Sequence, residues 1–219
     1  MRPKVDITSL DITVFAEEEY RTKALAAMPR WRLEKIKRIK SGRGKWLSLA
    51  VGVLLDEVLK PLGRRLQTEA MIRGENGKPA FADSALPRFS ATHSGRVAML
   101  AVVPSSAEVG LDYESFREKP RPNFEALLNR IAGSDEKAYV RVAILPRERE
   151  ERFLRLWTAK EAVLKYLGAG LTLDPRSMRI AIDAETPDHP RAMNHPELWL
   201  EAEVLSGGVR TVCVGPALR

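Results

Sequence analysis

The chain has 219 residues, of which 44% are hydrophobic and 30% charged, and 36 basic against 29 acidic side chains give it a net charge of +7. This composition supports a full hydrophobic core in one large domain or in two fused units of about 100–110 residues, and the single cysteine, Cys213, excludes an internal disulfide. No apolar run approaches the roughly 20 residues of a membrane-spanning helix, and residues 1–15 lack a signal peptide's continuous apolar stretch, so we expect a soluble, cytoplasmic monomer.

Apolar periodicity predicts one strand and several helices in the first part of the chain. Residues 4–15 alternate as a strand does, and helical spacing follows over 24–39. Ser41, Gly42 and Gly44 then interrupt the pattern. Residues 46–59 carry apolar side chains at i, i+3, i+4 and i+7, which predicts an amphipathic helix.

The second part is predicted to hold a long helix over 148–167, closed by glycines, and several strands. The predicted strands cover 97–103, 107–113, 178–182, 197–204 and 209–214. Polar residues 115–128, with Pro120 and Pro122, indicate a mobile connection. Because the order of strands and helices occurs twice, we predict an α/β fold of two similar halves, 1–105 and 106–219, related by a pseudo-twofold with the active site in the cleft between them.

Basic side chains are concentrated between Arg21 and Lys45, a segment with ten Lys or Arg residues and one acidic residue, Glu34. Such a patch attracts the phosphates of nucleic acid, lipid headgroups or a nucleotide cofactor, or an acidic protein partner. On charge alone, a solvated helix face is the first interpretation.

Two carboxylates, Asp112 and Glu114, share one face of the predicted strand that follows Gly110. Carboxylates at i and i+2, beside a glycine that permits close approach, can hold a hard ion such as Mg²⁺, which takes one or two carboxylates together with substrate phosphates and water. An exposed strand face is the alternative, because a lone Asp-x-Glu is common.

Trp157, Glu161 and Lys165 lie at i, i+4 and i+8 on one face of the predicted long helix. An ordinary helical Glu–Lys pair is one interpretation, although it leaves the aligned tryptophan unexplained. Otherwise Glu161 can complete a metal site or act as a base, and Lys165 can meet a phosphate.

Two polar turns complete the set of candidate motifs. Residues 89–95, Phe-Ser-Ala-Thr-His-Ser-Gly, offer hydroxyl and imidazole donors around His93. Ser94 beside His93 does not indicate a hydrolase triad, because no nucleophile elbow is present. The second turn, Gly77-Lys78-Pro79, presents one cation.

In this order the motifs GKPAF, FSATHSG, VGLDYE and LWTAKEAVLKYLGAGL resemble those of the 4'-phosphopantetheinyl transferase superfamily, in its longer, pseudo-dimeric class. The resemblance covers roughly residues 30–185. The sequence departs from the usual family pattern at Thr92, where serine is usual, and at Ser90 and Tyr113, where Asn and an aliphatic residue are common.

The resemblance implies an Mg²⁺-dependent enzyme, with Mn²⁺ as a substitute, that moves phosphopantetheine from coenzyme A to a serine of an acidic apo carrier protein. Its implied metal ligands are Asp112, Glu114 and Glu161. Its implied catalytic residues are Glu161, Glu114 and Lys165, with either glutamate as the base. Its implied coenzyme A contacts are Lys78, Pro79, Thr92, His93 and Lys165, with Lys35, Arg38 and Arg43 as candidates for the 3'-phosphate.

Two other classes of function remain open at this point. A nucleic-acid-binding protein is supported by the calculated pI of about 9.7, but the chain carries no recognisable binding motif and only 6% aromatic residues. A metal-dependent phosphohydrolase would use the same carboxylates and would need no acceptor protein.

Overall fold

The computed structural model describes residues 3–74, 76–119, 121–170 and 173–218. Helices and antiparallel sheets are mixed along these residues, which confirms the predicted α/β class. The similarity of two halves and their pseudo-twofold relation stay predictions.

The described residues before 105 include three α-helices and five strands. They are β1 (Asp6–Asp11), α1 (Glu18–Ala26), α2 (Arg30–Arg38), α3 (Gly42–Leu59), β2 (Met71–Arg73), β3 (Pro79–Phe81), β4 (Arg88–Ser94) and β5 (Val97–Val103).

Helix α3 begins earlier than the sequence predicts. Ser41 caps it, because its hydroxyl oxygen accepts a hydrogen bond from the amide of Gly44 at 3.3 Å. A serine before the first turn satisfies an amide that has no partner inside the helix. Gly42 and Gly44 therefore lie within the first turn of α3, whereas the predicted break between two helices is confirmed at Ser41.

The remainder of the chain contributes three helices and five strands among the described residues. They are β6 (Ala107–Ser115), α4 (Phe124–Ile131), α5 (Ser134–Arg141), α6 (Pro146–Leu167), β7 (Ile180–Ala181), β8 (Arg191–Ala192), β9 (Trp199–Leu205) and β10 (Gly208–Pro216).

The connection predicted over 115–128 is helical from Phe124 onward. Leu128 and Ile131 of α4 bury their side chains in the core, and this apolar face outweighs the polar composition from which a mobile segment was expected. Pro120, which supported that expectation, lies outside the described residues. Helix α6 ends as predicted, at Gly168 with a φ of 65°, a left-handed conformation that glycine adopts without strain.

Two antiparallel sheets of three strands form the centre of the molecule, in the orders β1-β5-β4 and β6-β10-β9. Strand β5 leads to β6 through a tight turn, in which the amide of Ala107 donates to the carbonyl of Pro104 at 3.0 Å. The predicted boundary between residues 105 and 106 falls in this turn, and the division into two halves stays a prediction. Within the described residues, no helix is both long enough and apolar enough to cross a bilayer.

Candidate active site

Close packing of α6 on β6 brings the two acidic motifs together. Gly110 permits this packing: a side chain at this position would collide with the carbonyl oxygen of Ala162 and would lie 2.5 Å from the amide nitrogen of Tyr166. Glu161 and Lys165 directly precede those two residues in α6. The missing side chain of Gly110 therefore lets Glu161 and Lys165 lie beside the acidic face of β6.

Asp112 is buried, with 5% of its surface exposed. Its Oδ1 accepts hydrogen bonds from Nζ of Lys165 at 2.6 Å and from the hydroxyl of Thr92 at 3.1 Å. Its Oδ2 is buried and has no hydrogen-bond partner among the described residues. Because leaving a buried carboxylate oxygen without a partner is costly, this oxygen is available to a ligand that is not part of the chain.

Glu114 and Glu161 are half-buried around Asp112. Burial raises the pKa of Glu161, and the negative charge of Asp112 raises it further, against the opposing charge of Lys165. Burial also raises the pKa of Glu114, although the hydroxyl of Ser94, which donates to its Oε2 at 2.8 Å, favours the ionised form. Three carboxylates thus share one region with a single adjacent ammonium group.

The carboxylates of Asp112, Glu114 and Glu161 provide part of a binding site for a hard cation. Among the described residues, no three His, Cys, Asp or Glu side chains form a ready-made group that could hold a metal ion. The unpartnered Oδ2 of Asp112 and its carboxylate neighbours nevertheless supply the oxygen ligands that Mg²⁺ prefers, and Mg²⁺ commonly leaves several positions to phosphates and water. The arrangement suits an ion whose coordination a phosphate ligand completes.

The polar turn predicted over residues 89–95 is wrong, because residues 88–94 form strand β4. Strand β4 runs beside β6 in the same direction, and alternate side chains of β4 accept hydrogen bonds from the backbone of β6. We call this set of hydrogen bonds the hydroxyl seam. In it, the backbone amides of Leu111, Tyr113 and Ser115 donate to the hydroxyls of Ser90, Thr92 and Ser94 at 3.0, 3.3 and 3.1 Å, respectively. The Thr92 hydroxyl is therefore engaged twice, as an acceptor from Tyr113 and as a donor to Asp112.

Lys78 points into the molecule. Its Nζ donates to Oε1 of Glu108 at 2.7 Å, to the carbonyl of Val109 at 2.9 Å and to the carbonyl of Tyr166 at 3.2 Å, which uses all three of its protons. Burial lowers the pKa of Lys78, an effect that Glu108 opposes. In this conformation Lys78 fixes its turn against β6 and α6. A 230 Å³ cavity, which both Lys78 and Lys165 line, separates the turn from the end of α6.

A second cavity of 800 Å³ lies between α2, α3, β4 and the β2–β3 hairpin. Three of its lining cations, Arg32, Lys35 and Arg73, form no ion pair with any described residue. Burial lowers the pKa of Lys35, and the charges of Arg32 and Arg73 lower it further. Burial lowers the pKa of Arg32 to about 10. Its buried Nε and the hydroxyl of Ser48 lack hydrogen-bond partners among the described residues.

His93 and Pro79 connect this cationic cavity to the carboxylates. His93 lines the cationic cavity. Burial lowers the pKa of His93, and the charges of Lys165 and Lys35 lower it further, so His93 lies within electrostatic reach of both groups. Pro79 lines both cavities, as do Phe89 and Ala91.

Of the three cations suggested for the 3'-phosphate, only Lys35 lines the cationic cavity. Arg38 and Arg43 are exposed at the end of α2 and the start of α3. Arg32 and Arg73 were not predicted as site residues, because many other cations surround them in the sequence. A helical projection that placed Arg32 and Lys35 on one face would have paired them.

Glu108 is another residue at the site that was not predicted from the sequence. It is buried and accepts hydrogen bonds from Lys78 and, at 2.8 Å, from Nη1 of Arg88. Its position was visible in the strand pattern, since Glu108, Asp112 and Glu114 fall on the same face of β6.

Comparison with known proteins agrees with the motifs. A family model described as the 4'-phosphopantetheinyl transferase superfamily matches residues 108–209. A protein of Salmonella typhimurium named 4'-phosphopantetheinyl transferase AcpT is 38% identical over 126 residues, 58% of this chain and 59% of that protein. The protein of the same name from Escherichia coli K12 is 39% identical over 127 residues, 58% of each chain.

A third relative, 4'-phosphopantetheinyl transferase psf-1 of Bacillus pumilus, is 33% identical over 121 residues, 52% of this chain and 48% of that protein. The chain thus spans less than two thirds of the length of each of these relatives. The resemblance to the superfamily is confirmed, whereas the pseudo-dimeric subtype stays a prediction. Residues 108–209, which carry the acidic strand β6 and the long helix α6, match the model of the 4'-phosphopantetheinyl transferase superfamily.

Proposed function

We propose that the protein transfers 4'-phosphopantetheine from coenzyme A to a serine of an acidic apo carrier protein. The main support for the proposal is a continuous series of cavities and side chains that could bind one extended anion. Uncompensated cations line the larger cavity, His93 and Pro79 lead from it, and Lys165 reaches the carboxylates of β6 and α6. The names of the relatives describe the same activity.

Coenzyme A fits this run in one direction. Arg32, Lys35 and Arg73 repel one another in the absence of a counter-ion, and a phosphate among them would relieve that repulsion. We assign this position to the 3'-phosphate, with Arg38 and Arg43 as further candidates at the rim. The pyrophosphate then lies toward His93 and Lys165, and Lys78 and Pro79 border the path between them.

Asp112, Glu114 and Glu161 would hold Mg²⁺ or Mn²⁺ against the pyrophosphate. When bound, such an ion neutralises charge on the phosphate oxygens and polarises the phosphorus toward attack. Thr92 would act through Asp112, because its hydroxyl donates to the Oδ1 that also pairs with Lys165.

The reaction forms a bond between the serine oxygen and the β-phosphorus, and it breaks the bridging bond of the pyrophosphate. Adenosine 3',5'-bisphosphate leaves with the bonding electrons. Glu114 or Glu161 accepts the serine proton, and the raised pKa of each carboxyl suits that task. Lys165 and His93 donate hydrogen bonds to the oxygens on which charge develops.

The central experiment is incubation of the full chain with coenzyme A, Mg²⁺ and several apo carrier proteins, read by intact mass. We expect one carrier to gain the mass of one phosphopantetheine. Release of phosphopantetheine without an acceptor would instead indicate a phosphohydrolase, and no reaction with any carrier would overturn the proposal. Cytoplasmic location and a monomeric state stay predictions.

The metal requirement needs a separate test. Because Asp112 is buried and pairs with Lys165, Asp112→Asn is a better variant than Asp112→Ala, which would leave a cavity. Asp112→Asn and Glu161→Ala should abolish transfer while their unfolding midpoints stay close to that of the wild type. Chelation by EDTA should do the same, reversibly on addition of Mg²⁺, and full activity in EDTA would remove the metal from the proposal.

A further inference from the structure

The loop between α5 and α6 exposes three apolar side chains to water. Ile144 is 86% exposed, and Val142 and Leu145 are each 65% exposed. The loop is held in place, because Nε and Nη2 of Arg149 donate to the carbonyl of Ala143 at 3.2 and 3.0 Å, and Ala143 itself is buried. Adjacent exposed apolar side chains on a fixed loop are typical of a contact surface for another protein.

A 390 Å³ cavity that continues to the start of α6 is strongly basic. Five cations and two carboxylates line it: Arg117, Lys119, Arg121, Arg147, Arg149, Glu118 and Glu150. Arg147 lies over the ring of Phe116, 3.2 Å from its centroid. Neither Arg117 nor Lys119 forms an ion pair with any residue that the structure describes.

Arg121 is unusual among these cations because its side chain is only 11% exposed. Its Nε lies 3.7 Å from Oε1 of Glu150, beyond hydrogen-bond distance, and both Nε and Nη2 lack hydrogen-bond partners within the described ranges. A nearly buried guanidinium with unused donors indicates that an acidic group approaches from outside the chain.

This basic, apolar-tipped surface borders the carboxylate cluster. Arg121 lies over the ring of Phe153, which stacks on Trp157 at a centroid distance of 6.1 Å, and Trp157 precedes Glu161 by one helical turn. Leu145 and Glu161 are 16 positions apart, which corresponds to about 24 Å along the axis of α6. A domain of about 100 residues, with a radius of gyration of about 13 Å, can cover that distance.

We propose that the Val142–Leu145 loop, together with the cations of the 390 Å³ cavity, is the surface on which the acidic carrier protein docks. The inference rests on the proposed function. An apolar centre with a charged rim is the usual composition of a protein interface, and the excess of cations complements an acidic partner. A second copy of this chain would bring like charges together, and aliphatic side chains offer no stacking platform for nucleic acid.

The test compares Ile144→Ser and Arg147→Glu in the full chain, with the apo carrier that the intact-mass experiment identifies. Both residues lie outside the proposed coenzyme A site. We expect each variant to raise the KM for the carrier about 10-fold, a typical loss for an interface contact, with an unchanged KM for coenzyme A. Binding of the carrier's Ser→Ala form should weaken by the same factor.

Two matched variants provide the controls. Leu62→Ser removes another exposed apolar side chain, 50% exposed after α3, and Lys37→Glu reverses an exposed charge on α2. Both should keep the wild-type KM for the carrier.

Four outcomes separate the possibilities. If the wild type modifies no carrier, the proposed function fails. If it modifies a carrier and both test variants keep the wild-type KM, the docking inference fails alone. An equal effect of Lys37→Glu would indicate general charge steering and overturn the inference, as would a wild-type dimer that Ile144→Ser dissociates without a change in carrier KM.

Discussion

Several side chains at the candidate site are only partly paired by contacts within the protein. Lys165 neutralises one oxygen of Asp112 while the other oxygen stays free, so the site is partly paired before any substrate binds. The cations Arg32, Lys35 and Arg73 are less satisfied, because the charges of Arg32 and Arg73 lower the pKa of Lys35. The site thus holds unfavourable electrostatic energy that a bound polyanion would release.

The first prediction concerns Lys35. A partly exposed charge–phosphate contact contributes about 1.5–3 kcal/mol, so Lys35→Ala should weaken coenzyme A binding about 10- to 150-fold. Binding of 3'-dephospho-coenzyme A should change much less, because that molecule lacks the contacted group. Titration calorimetry of both ligands, with Lys37→Ala as an exposed control from the same helix, measures the difference. Equal losses for the two ligands would show that Lys35 contacts some other group.

The second prediction concerns the buried thiol of Cys213. Burial raises the pKa of Cys213 well above its usual range, whereas an unfolded thiol titrates near pH 8.5. Above that pH the unfolded state releases a proton that the folded state keeps, so stability falls as pH rises. At pH 9.5 the loss should be about 1.4 kcal/mol relative to pH 7.5.

Urea unfolding of the wild type and of Cys213→Ala at both pH values isolates this contribution. The other titrating groups, including Lys78 and the tyrosines, affect both proteins alike. A pH dependence that is the same in the two proteins would contradict the assignment to Cys213.

At the scale of elements, the contact between β6 and α6 determines the site. Gly110 lies where the strand meets the backbone of the helix, and the functional side chains flank that point on both elements. The same helix is anchored on its opposite side by Lys160, which is 1% exposed and donates to Oε1 of Glu136 at 2.7 Å and to the carbonyl of Pro175 at 3.0 Å. Helix α6 is therefore held from two sides.

The third prediction follows for Gly110→Ala. The added methyl group would collide with the backbone of α6, and overpacking of this kind typically costs about 1–3 kcal/mol or more. A displaced α6 would also carry Glu161 and Lys165 away from Asp112, so transfer should fall by more than the folded fraction does. Gly42→Ala is the control, because no atom lies within 4 Å of a side chain at that position. Wild-type turnover in Gly110→Ala would disprove the role of this contact.

At the scale of the molecule, the core is divided into three clusters. One lies among α1–α3 and the first sheet, and another among α4–α6 and the second sheet. The third joins the two, with Met99, Ala101 and Val103 of β5 packing against Leu111 of β6 and Val212 of β10. Residues on both sides of the predicted boundary therefore share one apolar surface.

The fourth prediction is that residues 1–105 do not fold alone. Separation would expose Met99, Ala101 and Val103, and each large apolar side chain exposed costs about 1.5–3 kcal/mol, against a typical total stability of about 5–15 kcal/mol. Circular dichroism and NMR should show a disordered fragment, and co-expression with residues 106–219 should restore a folded complex. A dispersed spectrum with cooperative unfolding from 1–105 alone would contradict this.

Apolar side chains that recur at helix or strand spacing made α6, β5 and β6 predictable, although β5 and β6 are buried along nearly their whole length. Strand β4 was missed since its alternate Ser and Thr side chains suggest solvent, whereas they bind the backbone of β6. A helical projection pairs Arg32 with Lys35, but the sequence of α2 alone does not indicate that this face, and not one of the other cationic faces, borders the larger cavity. Lys160 and Glu161 are adjacent in sequence, yet one is a buried anchor and the other lies at the site, a difference that only the packing of α6 decides.

The hydroxyl seam has a consequence for the exchange of backbone hydrogens with solvent. Along β6 the amides of Leu111, Tyr113 and Ser115 bind side-chain oxygens of β4. The backbone amides of the intervening residues, Asp112 and Glu114, face β10 in a regular antiparallel ladder. A brief separation of the two sheets would expose the first set of amides and leave the second protected. Hydrogen exchange followed by NMR should therefore show amides along β6 that alternate between slow and still slower exchange. Equal exchange rates for all of these amides would mean that the two sheets separate only when the whole protein unfolds.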